Sequence, residues 1–133
     1  MLVDTNVILD IVEDDPDWAD WSQARLEALS VSRTLVINPV IYAELSIGYR
    51  RIEDLERMLT TVGLSIEALP REALFMAGKV YRRYRAKGGA KAGVLPDFFI
   101  GAHAAVTGMS LVTRDPRRYR TYFPSVALIT PID

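Results

Sequence analysis

The chain has 133 residues, 50% hydrophobic and 25% charged, with a net charge of −1, which bounds it to a single globular domain with room for a real core. It has no cysteine and one histidine, excluding disulfides, thiolate zinc sites, cysteine nucleophiles and multi-histidine metal sites. Any metal must then be held mainly by oxygen, which favours magnesium, manganese or calcium. No apolar run approaches the roughly 18 residues of a membrane span. The N-terminus lacks a basic segment leading into an apolar one, so a cytoplasmic protein with no membrane contact is expected.

Met1 to Asp4 reads as a short buried strand, and Thr5 or Asn6 can cap a helix from Val7 to about Glu13. Asp14-Asp15-Pro16-Asp17 breaks that helix and opens a second, reaching about Val31, with an imperfect stripe of Trp18, Trp21, Ala24, Arg25 through its stem, Leu26 and Leu29. Leu35-Val36-Ile37 is a strand. Asn38-Pro39 then supplies an N-cap and a first-turn proline for a helix to Gly48. Ile52 to Val62 is helical, with Ile52, Leu55, Met58, Leu59 and Val62 on one face.

Leu64 to Leu69 alternates as a strand, with Leu64, Ile66 and Ala68 on the apolar side. Pro70 starts a long helix to about Ala86, spaced to bury Leu74, Ala77, Gly78, Tyr81 and Tyr84. Lys87 to Gly93 is a glycine-rich, lysine-bearing loop expected to be mobile. Pro96 opens a helix that Gly108 stops after Thr107. Leu111 to Thr113 is a strand, Pro116 to Tyr119 a short helix and Val126 to Ile129 a last strand. No repeat or interdomain linker interrupts residues 1–133.

Strands alternating with helices at this spacing imply a parallel α/β sheet covered on both faces, with its site outside the carboxyl ends of the strands. Asp4 ends the first strand, Glu44 lies on the helix leaving the second, and Asp115 follows the strand at Leu111. Asp97 sits in the first turn of the helix entering that strand. Taken singly, Asp97 suits a helix dipole and Asp115 an N-cap, so their convergence at one sheet edge is the stronger signal. Clustered carboxylates repel, and a divalent cation relieves that while activating water and stabilising charge on a phosphate. Thr113 is placed to orient a ligand or water, and Asn6 to hold an acid.

Charge is unevenly shared: residues 1–78 carry 6 basic and 14 acidic groups, residues 79–133 carry 10 and 3. The basic residues form two clusters, Lys79, Arg82, Arg83, Arg85, Lys87 and Lys91, then Arg114, Arg117, Arg118 and Arg120. Such a surface suits a polyanion. Arg82, Arg85, Lys87, Lys91, Arg114, Arg117 and Arg118 are the candidate phosphate contacts, with Tyr119 and Tyr122 available to stack on bases. Tyr81 and Tyr84 are expected in the core. His103, six residues after Asp97 on one helix, points away from it and is expected to be structural.

With Leu2-Val3-Asp4-Thr5-Asn6, Pro39-Val40-Ile41-Tyr42-Ala43-Glu44, Pro96-Asp97-Phe98-Phe99-Ile100-Gly101-Ala102 and Leu111-Val112-Thr113-Arg114-Asp115 in that order, the chain resembles the PIN-domain ribonucleases. More narrowly it resembles the VapC toxins of toxin–antitoxin pairs. The resemblance spans essentially the whole chain as a single domain, 1–133. It implies a three-layer α/β/α fold with a parallel five-stranded sheet, with Asp4, Glu44, Asp97 and Asp115 as catalytic and metal-holding acids and Asn6 and Thr113 as auxiliaries. It further implies Mg2+- or Mn2+-dependent cleavage of RNA by metal-activated water, a homodimer, and inhibition by a VapB-like antitoxin. Exposed apolar residues on the early helices (Trp18, Trp21, Ile47, Tyr49) are the expected antitoxin surface. His103 and the basic loop at 88–93 depart from the family pattern without touching the acids.

Two other classes fit less well. A phosphatase with Asp4 as nucleophile would want a second acid where Asn6 stands, and a well-placed lysine. A catalytically inactive RNA- or protein-binding PIN module would usually lose acids that this chain keeps.

Overall fold

The structure is a computed structural model describing residues 1–90 and 94–131. Its strands are short and apolar: β1 (Leu2–Val3), β2 (Leu35–Ile37), β3 (Leu64–Ile66), β4 (Leu111–Val112) and β5 (Leu128–Ile129). They pair in the order β3-β2-β1-β4-β5, every pairing parallel. The helices are α1 (Thr5–Val12), α2 (Ala19–Ser30), α3 (Pro39–Ser46), α4 (Ile52–Val62), α5 (Arg71–Ala86), α6 (Leu95–Thr107) and α7 (Arg117–Tyr122). Successive strand residues face opposite sides of a sheet, yet every residue of β1, β2 and β4 is buried. Both faces are therefore covered, as the expected α/β class requires. The strand order reverses between β1 and β4, so a crevice opens beyond their carboxyl ends.

The outer strands are shorter than their sequence pattern suggests. β3 ends at Ile66, which is exposed, and Ala68 lies beyond it, also exposed. An edge strand persists only where its neighbour supplies hydrogen bonds, and β2 is three residues long. Its partner across the sheet, β5, likewise reduces to Leu128–Ile129.

Two helices turn a different face inward from the one their periodicity suggests. On α5 the buried residues are Ala73, Ala77 and Val80, while Leu74 and Phe75 are exposed, Phe75 to 70%. Helix α5 packs along α6, and small side chains at the seam let the backbones approach, which rotates the bulky neighbours outward. Tyr81 and Tyr84 stay half-buried around Phe98, with ring centroids 5.4 and 5.1 Å from it. On α2 the inward residues are Ala19, Ser22 and Leu26, and Ala24 is exposed. Ser22 is buried because its hydroxyl donates to Asp10 at 2.9 Å, so a polar position belongs to the inner face.

Helix α6 packs closely against Phe123, the residue that ends α7. A Cβ on Gly101 would collide with the ring of buried Phe123. Gly101→Ala is expected to lower stability by about 1–3 kcal/mol. The reading is a lower urea midpoint with an unchanged slope; a wild-type midpoint would contradict this packing.

Candidate active site

Each acid reaches the crevice because a local signal ends an element there. Asp4 follows β1 with extended backbone and is itself the N-cap of α1, its Oδ1 accepting from Thr5 N at 2.8 Å. This corrects the expectation that Thr5 or Asn6 would cap: Asp4 holds the one extended position before the first turn. Asn38 caps α3 through Ile41 N, 2.9 Å from its Oδ1, and so sets the helix that carries Glu44. Asp97 lies in the first turn of α6. Asp115 follows β4 on an exposed turn held by its own N–H donating to Thr113 Oγ1 at 3.1 Å.

The four acids converge. Asp4, Glu44, Asp97 and Asp115 line one cleft of about 210 Å³, together with Thr5, Asn6, Leu9, Arg118 and Tyr119. Thr113 Oγ1 donates to Asp4 Oδ2 at 2.8 Å, and the buried Tyr119 hydroxyl donates to the same oxygen at 3.0 Å. Thr5 Oγ1 donates to Glu44 Oε1 at 2.7 Å. Arg118 Nη1 donates to Asp97 Oδ2. Asn6 spans to the β4 end, accepting from Arg114 N at 3.2 Å and reaching Thr113 Oγ1 at 3.5 Å.

The electrostatics follow from burial and crowding. Burial pushes the Asp4 carboxyl up to about 7; the Thr113 hydroxyl opposes that rise and the charge of Asp97 adds to it. Glu44 is raised by burial and, more weakly, by Asp97, against the pull of the Thr5 hydroxyl. Asp97 is raised by burial and by Asp115, although Arg118 draws it down. Tyr119 is pushed well above the ordinary phenol value by burial and by Asp4, so it remains a donor. The cleft is thus short of positive charge, and all its acidic donors are oxygens. That set suits a hard divalent cation. Among the described residues no three such groups already stand together at ligand spacing; hydroxyls, an amide and a guanidinium hold them instead.

The basic candidates distribute differently. Arg118 is the one cation lining the cleft among the described residues. Arg114 does not line the cleft: Asp10, one turn further along α1 than Asn6, takes its Nε and Nη2 at 2.9 Å each, and its guanidinium lies 5.5 Å from the centre of the Trp18 ring. Arg85 donates to Gly89 O at 2.7 Å, and Arg82, Lys87 and Arg117 are exposed. Lys91 and the rest of the 91–93 loop lie outside the described residues. Tyr119 is not a base-stacking surface, because its ring is buried and its hydroxyl is on Asp4. Tyr122 packs edge-on against Tyr84 at 5.6 Å.

His103 is buried and 3.2 Å from Asn38 Nδ2 through Nδ1. Because Asn38 Oδ1 already caps α3, its amide nitrogen faces the ring, and Nδ1 must accept. Burial lowers the imidazole pKa, so His103 is a neutral structural residue.

A PIN domain model matches residues 1–124. The chain belongs to the PIN domain family. Among solved structures, this PIN domain is similar to VapBC2 from Rickettsia felis bound to a promoter DNA fragment, at 22% identity over 97% of this chain and 96% of that one, with a TM-score of 0.74. It is also similar to VapBC-1 from nontypeable Haemophilus influenzae, at 19% identity over 97% and 96% with a TM-score of 0.69. DNA-bound VapBC from Salmonella typhimurium matches at 21% over 97% and 96%, with a TM-score of 0.68. A search of curated proteins returns no match. These likenesses bear out the three-layer fold expected from the sequence.

Sequence reasoning missed three partners of the site: Thr5 on Glu44, Tyr119 on Asp4, and Asp10 on Arg114. Only Asp10 left a usable signal, as a lone carboxylate in the apolar run Val7-Ile8-Leu9-Asp10-Ile11-Val12.

Proposed function

We propose that this PIN domain is a metal-dependent endoribonuclease, the toxin of a toxin–antitoxin pair. The observation that carries the reading is the convergence of four carboxylates, from four separate segments, in one charge-deficient cleft at the carboxyl edge of the sheet. Asp4, Glu44 and Asp97 would hold Mg2+ or Mn2+, with Asp115 at the rim of the same set. Bound there, the ion supplies an activated water and stabilises charge on the phosphate. Thr113 and Tyr119 fix Asp4 Oδ2, and Thr5 fixes Glu44, so the acids keep their orientation as an ion enters. Asn6 holds the turn that carries Asp115.

Purified protein, free of any antitoxin, is expected to cut a structured RNA pool with Mg2+ and to stop when EDTA is added. Cutting that persists in EDTA would overturn the metal-dependent reading. Turnover of a small phosphomonoester without RNA cleavage would favour the phosphatase. That alternative would want a second acid where Asn6 stands, and the Asn6 side chain instead accepts from Arg114 N; no lysine among the described residues lines the cleft.

A homodimer and a VapB-like antitoxin belong to the same proposal. Leu74 and Phe75 on α5 are exposed and available to a second copy. For the antitoxin, Ile47 is exposed, while Trp18 lies beneath Arg114 and Trp21 and Tyr49 are half-buried. Of the four residues expected at that surface, Ile47, just past the end of α3, is the one fully open to a partner. No helix among the described residues is long and apolar enough to cross a membrane.

A further inference from the structure

We infer that Arg118 is a substrate-contacting residue with two mutually exclusive partners: Asp97 while the cleft lacks a dication, and an RNA phosphate once a dication is bound. The inference rests on the metal-nuclease reading above. Arg118 stands near the start of α7, whose backbone is anchored by buried Tyr119 and Phe123. From there its guanidinium reaches the cleft, lies 5.7 Å from the Tyr84 ring centre and donates to Asp97 Oδ2. Both side chains remain about one-third exposed, at 30% and 32%.

Two features make the partners exclusive. A dication held by Asp97 would place a double positive charge beside the guanidinium. It would repel Arg118 and withdraw charge from the carboxylate that now accepts its hydrogen bond. The released group is a planar fork suited to phosphate, at the mouth of the cleft, with an aromatic face to rest on. Arg114 cannot serve in this way, because three hydrogen bonds fix it to Asp10.

The test uses the full chain and two probes. By calorimetry, Arg118→Gln is expected to bind Mn2+ about tenfold more tightly than wild type, because the competitor for Asp97 is gone. Arg120→Gln removes an equal charge about 200° around the same helix and is expected to change Mn2+ affinity less than twofold (roughly, from screening at an exposed site). In EDTA, Asp97→Asn is expected to bind a labelled oligouridine more tightly than Asp115→Asn does. Both lose one negative charge, but only the former frees Arg118, and adding Arg118→Gln should erase the gain.

Mn2+ affinity unchanged in Arg118→Gln, or raised equally in Arg120→Gln, would overturn the inference and leave the metal site standing. Equal oligouridine binding by Asp97→Asn and Asp115→Asn would also overturn it. No Mn2+ uptake by any of the proteins would remove the metal-site reading and this inference together.

Discussion

Asp4→Asn is expected to abolish metal-dependent RNA cleavage and, in EDTA at neutral pH, to make the protein more stable than wild type. The two effects share one cause. Asp4 is buried at the end of β1, and its carboxyl is raised from the ordinary 3.8 to about 7. A folded-state carboxyl above its unfolded value binds more protons folded than unfolded between those limits. Stability without metal is therefore greatest in acid with respect to this group, and falls as pH rises from about 4 to about 7. Asn cannot ionise, so that loss disappears, while its carbonyl still caps α1 through Thr5 N. The Thr113 and Tyr119 hydroxyls can reorient to accept from the new amide. The stability gain is on the order of a few kcal/mol above pH 7 and near zero below pH 4. Thermal midpoints in EDTA at low and neutral pH read it directly. Lower stability of the variant at pH 8 would show that Asp4 ionises without cost, and retained cleavage would remove it from the site.

Breaking the Asp10–Arg114 pair is expected to cost about 3 kcal/mol when Asp10 becomes Ala, because a partly buried guanidinium is left with no acceptor. Asp10 is 2% exposed and also takes the Ser22 hydroxyl, so its loss strands two donors. Arg114→Ala leaves the opposite charge buried beside Ser22 and should cost a similar amount. The double variant should cost less than the two singles added, by about 1–3 kcal/mol. Arg114 is itself 30% exposed, and solvent screening keeps that coupling below the value for a fully buried pair. Additive losses in urea denaturation would show that the pair is not coupled. Asp115 follows Arg114 directly and Asn6 accepts from the Arg114 N–H. The same variants should therefore weaken Mg2+ binding, raising the Mg2+ needed for half-maximal cleavage.

Much of this molecule follows from local chemistry. Asn38-Pro39 marks the start of α3, Gly108 in the left-handed region stops α6, and short apolar runs mark the strands, although their order in the sheet is set by the tertiary structure. Of the four acids only Asp4 stands out singly, as a carboxylate closing an apolar strand. Glu44, Asp97 and Asp115 are legible as candidates through their expected convergence at one sheet edge, and they line one cleft with it. Position in the sequence could not say what meets those acids. Tyr119 donates to Asp4 across 115 residues, and Arg114 reaches Asp10 across 104. Helix rotation decided the rest. Periodicity assigns an apolar face to α5, but the close approach of α6 selects the alanines for it and turns Leu74 and Phe75 outward. Likewise Arg118 reads as one more surface cation until α7 is anchored through Tyr119. The residues and their order determined a parallel sheet with acids at its carboxyl edge. Tertiary packing decided which donor holds each acid, because hydrogen bonds depend on distance in space, which local pattern does not encode.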